Sequence, residues 1–166
     1  MTDSLCEIAA AAPDDIAGIL DLQESNLREH GGALSFRFSR DWFEAAIRGM
    51  PVLVARDAGK VVGYVVSTSM AAQAHVPIIA AMLRAYPGAP DAYNYGPICV
   101  AESHRRRGLA LALFEALRAR LPGREAVSFI RADNAASRRA HCKMGMREAA
   151  AFDVGGVAYL VVVHPG

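Results

Sequence analysis

The sequence predicts an α/β protein of the α+β type, with a mixed β-sheet covered by helices. Three observations predict it. Short β-branched runs alternate with helical stripes along the chain. One strand–helix–strand segment, from Tyr95 to Arg131, implies a right-handed parallel crossover. Hairpin signals on either side of that segment imply antiparallel pairing.

Taken in order, Cys6 to Ala10 reads as a first strand. Pro13 opens a helix with Asp14 and Asp15 in its first turn, where the helix dipole favours acids. Ile16, Ile19, Leu20, Gln23 and Leu27 form its stripe, and Gly31-Gly32 breaks the pattern. Ser39 is the expected N-cap of a second helix carrying Trp42, Phe43, Ala46 and Ile47, closed by Gly49. Pro51–Ala55 and Lys60–Ser67 read as a hairpin around Arg56-Asp57-Ala58-Gly59, with Gly59 suited to a positive-φ turn position.

Met70 to Asp91 reads as an insertion. Pro77 sits at the first position of a helix through Ile78, Ile79, Met82, Leu83 and Tyr86, and Pro87-Gly88 stops it. The insertion is expected to shape the acceptor mouth; for its apolar Ile78-Ile79-Met82-Leu83 face the alternatives are plain core, the default, or a dimer contact. Tyr95–Ala101 is a strand. Leu109 to Leu121 is an amphipathic helix with Leu109, Leu113, Ala116, Leu117 and Leu121 on one face. Ala126–Arg131 is a strand, and Asn134 caps a helix running to about Met144. Ala149–Val154 and Val157–Val163 close the chain as a hairpin around Gly155-Gly156.

Composition narrows the function classes. The 166 residues suit one domain, and a hydrophobic fraction of 53% supplies a sizeable core. A formal net charge of +1 gives no global attraction to nucleic acid or membrane, so an anionic partner needs a local feature. The three cysteines, Cys6, Cys99 and Cys142, form no Cys-x-x-Cys pair, which points to a reducing cytoplasm. The five histidines lack metal-ligand spacing, so no metal is expected. The first residues lack the basic start and apolar run of a signal peptide, and no stretch is long enough to span a bilayer.

Chemistry concentrates between Tyr95 and Ala110. A strand enters a basic turn, Arg105-Arg106-Arg107-Gly108, and a helix opens at once. Helix N-termini present unpaired N–H groups and a positive dipole end, which together bind phosphate. Gly108 lets a ligand approach the backbone, and the small Ala110 keeps the first turn open. Three arginines before a helix are also what a solvated turn or a nucleic-acid patch looks like. The flanking strand and helix favour the phosphate reading.

Val100-Ala-Glu-Ser-His-Arg-Arg-Arg-Gly-Leu-Ala110 resembles the acetyl-CoA signature of the GNAT acetyltransferase superfamily, Arg/Gln-x-x-Gly-x-Gly/Ala after a strand. Asn134-Ala-Ala-Ser-Arg-Arg-Ala-His-Cys-Lys-Met-Gly145 resembles that family's later block. The order of elements agrees over essentially the whole chain. The resemblance implies one acyl-CoA N-acyltransferase domain over residues 1–166, with a GNAT-like sheet of about seven strands and a splay between the two parallel ones. It also implies acetyl-CoA as co-substrate. Pantetheine would pair with the main chain at Ile98, Cys99 and Val100. The turn from Arg105 through Arg106, Arg107, Gly108 and Leu109 to Ala110 would hold the pyrophosphate. Asn134 would either contact the pantetheine arm or only cap its helix.

At about 100° per residue, Asn134, Ser137 and His141 project to one side of their helix, while Ala136, Ala140 and Met144 can face the core. That side would lie along the cofactor. Family members often carry tyrosine at the position of His141, close to the sulfur, where it protonates the leaving thiolate. Ordinary pKa values are about 10 for tyrosine, about 8.5 for a thiol and about 6.5 for histidine. His141 can therefore assist thiolate departure through an N–H bond or as an imidazolium. The alternative is a helix-surface histidine beside Lys143.

No spacing selects the base that deprotonates the amine. Glu29 and Tyr93 are the named candidates among Glu24, Glu29, His30, His75, Tyr93, Tyr95, Glu102 and His104. Cys99 and Cys142 neighbour the expected site, but direct transfer needs no covalent intermediate, and buried cysteines are usually inert packing. The expected acceptor is the amine of a small molecule or a peptide, with a homodimer as a possible assembly. A non-catalytic acyl-CoA sensor of the same fold is the alternative function. A nucleic-acid role is disfavoured by the charge balance and by the absence of interleaved aromatic residues.

Overall fold

In the computed structural model of the protein, residues 6–166 are described. Met1 to Leu5, part of the stretch read for leader features, lie outside the described residues. The strands are β1 (Glu7–Ala10), β2 (Val52–Asp57), β3 (Lys60–Ser69), β4 (Tyr93–Val100), β5 (Ala126–Arg131), β6 (Arg147–Val154) and β7 (Val157–His164). The helices are α1 (Ile16–Asn26), α2 (Arg40–Gly49), α3 (Met70–Gln73), α4 (Pro77–Ala85), α5 (Leu109–Arg120) and α6 (Ala135–Lys143). The strands form one mixed seven-stranded sheet in the order β1-β2-β3-β4-β5-β7-β6. β4 and β5 are its parallel pair, in register at Tyr93↔Ala126 and Asn94↔Val127. The hairpins β2–β3 and β6–β7 are antiparallel, as their sequences imply.

The expected elements are present, with shifted ends. Pro13–Asp15 form a 3₁₀ turn that leads into α1, so the helix proper starts at Ile16. Ser39 caps α2 by accepting the Trp42 N–H at 3.2 Å. The β2–β3 turn is tighter than the four residues read from sequence. Only Ala58 and Gly59 lie between the strands, both at positive φ (47° and 79°), which matches the right-handed twist of a hairpin. β4 begins two positions before Tyr95, at Tyr93. Among the described residues, no helix is long and apolar enough to cross a membrane.

Contacts divide the chain into two units, Met1–Ser67 with Gly96–Arg120, and Thr68–Tyr95 with Leu121–Gly166. In the first unit, α1 and α2 bury Ile16, Ile19 and Phe43 against Val54, Tyr64 and Val66 of the hairpin. Asp15 locks the entry to α1. Its carboxylate accepts the Ala12 N–H at 2.7 Å and a two-pronged pair from Arg56 at 2.9 and 2.6 Å. Burying one large aliphatic or aromatic side chain contributes about 1.5–3 kcal/mol.

In the second unit, α4 lays Ile78, Ile79 and Met82 on Val127, Tyr159, Val161 and Val163. The apolar face of the insertion is thus core, the default among the readings its sequence allowed. Phe129, Phe152 and Tyr159 form a contiguous aromatic group, with Phe152 and Tyr159 stacked at 5.4 Å. Tyr86 at the end of α4 donates to Glu125 at 2.8 Å, which fixes the chain leaving the insertion.

Candidate functional site

In the first unit, β4 ends at Val100, and a 3₁₀ turn (Glu102–His104) carries the chain into the arginine turn. Arg106 is left-handed at φ 61° and Gly108 at φ 78°. Positive φ at Arg106 and Gly108, on either side of Arg107, is the kind of alternation from which anion-binding nests are built. α5 starts at once, and its end bond runs from the Ala112 N–H to the Gly108 carbonyl at 2.9 Å. The N–H groups of the first turn therefore point out of the helix without intrahelical acceptors. A Cβ built on Gly108 meets nothing within 4 Å, so space is open above the nest. Arg106 and Arg107 are exposed, and among the described residues no carboxylate pairs with either. Nest, helix end, open space and two unpaired cations together fit a diphosphate.

The turn is held on both flanks. His104 Nε2 lies 3.0 Å from the carboxylate of Asp57, the last residue of β2, and its Nδ1 lies 2.8 Å from the Ser103 hydroxyl. Arg105 turns the other way. Its Nε donates to the Val100 carbonyl at 3.2 Å, and its Nη2 donates to Asn26 Oδ1 at the end of α1. Of the three strand residues expected to meet pantetheine, Ile98 and Val100 are half-buried and Cys99 is buried. Burial pushes the Cys99 thiol up to about 12, although Arg105 pulls it down. A thiol so disfavoured as thiolate is a poor nucleophile at neutral pH.

Of the base candidates in the first unit, Glu29 is exposed and accepts from Arg37, which also holds Glu24 at 2.9 Å. Arg37 keeps the Glu24 carboxyl below the usual range. His30 Nδ1 lies 2.8 Å from the Glu24 carbonyl. Glu24, Glu29 and His30 place ligand-type atoms within 4.8 Å of one another. That grouping has no counterpart in linear spacing. All three are exposed, and Arg37 already compensates both carboxylates.

In the second unit, Asn134 caps α6 by accepting the Ser137 N–H at 3.1 Å. Asn134, Ser137 and His141 do share a helix face, as their spacing implies. That face turns inward at His141, which is only 7% exposed, whereas Ala136, expected toward the core, is exposed. His141 packs edge-on to Tyr95, with ring centroids 5.7 Å apart, and the Tyr95 hydroxyl donates to Met144 Sδ at 3.7 Å. His141 Nδ1 lies 2.7 Å from the Ser137 carbonyl. A carbonyl only accepts, so the neutral ring carries its proton on Nδ1 and a lone pair on Nε2. Burial lowers the His141 pKa, with the bond to Ser137 opposing it. The ring is neutral at pH 7.

Tyr93, the other base candidate, is fully buried, with the Arg124 guanidinium 5.9 Å from its ring centre. Burial drives the Tyr95 phenol well above its ordinary value. His75 is exposed just before α4. Residues that sequence reasoning missed are those joined over long separations: Asn26 with Arg105, and Asp57 with His104. Nothing in local pattern connects them.

Comparison with known proteins gives a consistent result. No curated protein matches the chain. An N-acetyltransferase of Staphylococcus aureus shares the fold at a TM-score of 0.70 and 20% identity, covering 96% of this chain and 98% of its own. The yncA protein of Salmonella typhimurium, solved with its cofactor acetyl-CoA, aligns at 0.71 and 22%, covering 96% and 93%. A ribosomal-protein-alanine N-acetyltransferase of Brucella melitensis aligns at 0.68 and 22%, covering 96% and 99%. Residues 16–146 match the profile of the Acetyltransferase (GNAT) family, and the chain belongs to that family.

Proposed function

We propose that the protein transfers an acetyl group from acetyl-CoA directly to a primary amine of a small molecule or peptide. The observation that carries this reading is the open anion nest at Arg106–Gly108 on the first turn of α5, in a chain of an acetyltransferase family. Main-chain N–H groups from Arg106 to Ala110 bind the diphosphate, and the exposed Arg106 and Arg107 neutralise it. Ile98, Cys99 and Val100 offer strand backbone to the pantetheine arm, and Asn134 and Ser137 are the α6 residues proposed to line it. The solved yncA protein with acetyl-CoA supports the choice of co-substrate.

In the reaction the amine lone pair attacks the thioester carbon, the carbonyl electrons move to oxygen, and the C–S bond breaks as they return. A strand N–H near Val100 stabilises the oxyanion. The amine must lose one proton and the sulfur must gain one. His141 suits both transfers in sequence. Its Nε2 lone pair accepts the proton from the attacking amine, and the resulting imidazolium returns it to the departing thiolate. At rest the ring has no Nε2 proton to give, so its acid role follows its base role. This differs from a tyrosine at the same position, which is protonated from the start.

The same tautomer favours the second reading, a non-catalytic acyl-CoA sensor. A buried neutral ring whose only N–H is tied to the Ser137 carbonyl is also what a silent position looks like. Thiol release from acetyl-CoA, measured against polyamines, aminoglycosides, amino acids and peptides, separates the two. Turnover with one acceptor class establishes transfer. Tight acetyl-CoA binding without release across the panel establishes the sensor.

A further inference from the structure

Arg105 begins the basic turn, yet its guanidinium faces away from the open side of the nest. Its Nε caps the Val100 carbonyl at 3.2 Å and its Nη2 reaches Asn26 Oδ1. Asn26 is only 6% exposed, and its other groups are all committed. Its Nδ2 donates to the Leu22 carbonyl at 2.8 Å, and its own carbonyl accepts the Leu34 N–H at 3.0 Å. The Leu34 carbonyl in turn accepts the Arg28 N–H at 2.9 Å. Gly32 passes so close that a Cβ there would lie 1.9 Å from the Asn26 carbonyl oxygen. The far end of the loop is clamped by Gln23, whose amide exchanges two 2.9 Å bonds with the Phe38 backbone. One buried amide thus receives the cofactor turn on its side chain and the Leu27–Phe38 loop on its backbone.

We propose that Arg105 is a positioning residue that joins the anion-binding turn to the Leu27–Phe38 loop through Asn26, so that occupation of the turn and order of the loop are one linked event. The proposal rests on the reading that this turn takes a diphosphate. It assigns Arg106 and Arg107, with the main chain, to the ligand, and withdraws Arg105 from contact with it. By linkage, a ligand that steadies the turn steadies the loop, and a break at Asn26 weakens the turn. The loop carries Glu29, His30 and Arg37 on its surface, so its order decides what meets those groups.

The test uses the whole protein and three variants, Arg105→Ala, Asn26→Ala and the double substitution. Coenzyme A affinity is measured by titration calorimetry, and amide exchange is followed at Arg28 and Leu34. Each single variant is expected to lose about tenfold in affinity, the double no more than either alone, since a charge-assisted bond is removed once. In the unliganded protein, exchange at Arg28 and Leu34 is expected to speed up about tenfold in Arg105→Ala, with Phe114 in α5 unmoved. In wild type, coenzyme A is expected to slow those loop amides. Additive losses, or loop amides indifferent to Arg105→Ala, overturn the proposal. Exchange that responds to Arg105→Ala while wild type binds no coenzyme A overturns the diphosphate reading and the linkage to ligand, and leaves only the tie between turn and loop.

Discussion

His141 Nδ1 stands 2.7 Å from the Ser137 carbonyl oxygen, one turn back on the same helix. That bond fixes the tautomer, and the burial around it sets the charge. Unfolded histidine titrates at about 6.5, and in the fold burial lowers that value. Between the folded pKa and 6.5 the unfolded chain binds more protons than the native one, so stability rises with pH there. The contribution is full above the unfolded value and is lost as pH falls through the folded one. His141→Gln is expected to flatten the stability slope below pH 6.5. Chemical denaturation at several pH values checks it, and ring nitrogen shifts should report Nδ1 as the protonated nitrogen at pH 7.

For turnover the same geometry predicts a limb set by His141. The neutral ring is the active form in the proposed mechanism, so the rate should rise with pH through a pKa below 6.5. The ring faces Tyr95 of β4, with Ser137 and Lys143 on its own helix. Tyr95 stays a neutral phenol across this range, so of the two facing rings His141 is the one that titrates. His141→Ala should lower kcat by about a hundredfold and abolish that limb. A wild-type-like kcat in the alanine variant contradicts the proton role.

Much of this was legible in the sequence, and the reasons are local. Pro77, Ser39 and Asn134 mark helix starts by their own chemistry, and all three hold those positions in the structure. The strand, basic turn and helix around Gly108 were readable because a nest is built from consecutive residues. The inward turn of α6 was not. Spacing shows that Asn134, Ser137 and His141 share a face, but only tertiary packing decides whether that face meets solvent or Tyr95. Arg105 was read for its charge as part of the phosphate turn, and local pattern gave no sign that its guanidinium also meets Asn26, 79 positions away.

The loop after α1 depends on a glycine for space. Gly32→Ala places a methyl 1.9 Å from the Asn26 carbonyl oxygen, a backbone atom that cannot swing aside. The expected loss is about 3 kcal/mol, or a rearranged loop with Leu34 unprotected. Urea unfolding with amide exchange distinguishes the two. Gly31→Ala, where nothing lies within 4 Å but φ is 82°, should cost only about 1 kcal/mol of backbone strain.

Cysteine reactivity should follow burial. Cys142 is exposed on α6, while Cys99 is buried with its thiol pushed up to about 12. Iodoacetamide at pH 8 is expected to label Cys142 readily and Cys99 only on unfolding. Peptide mapping of the labelled protein reads this directly. Rapid labelling of Cys99 in the native protein would restore it as a nucleophile candidate.

The Asp15–Arg56 pair should be the costliest ion pair to break. Both side chains are largely buried, at 10% and 20% exposure, and Asp15 also holds the Ala12 N–H. Asp15→Ala leaves a buried guanidinium and an unpaired amide, for an expected loss of about 3 kcal/mol. Arg138→Ala, whose partner Glu148 is as exposed as itself, should cost less than about 1 kcal/mol. Thermal unfolding of the two variants gives the comparison.

Everything proposed for this protein rests on the Arg106–Ala110 turn binding the diphosphate of acetyl-CoA. That binding is tested most directly by titrating the isotope-labelled protein with acetyl-CoA and following every backbone amide. Saturable binding is expected, with the largest downfield shifts at Arg107, Gly108, Leu109 and Ala110, and loss of that binding in Gly108→Val. Saturable binding that leaves these four amides unmoved, or undiminished affinity in Gly108→Val, would contradict it.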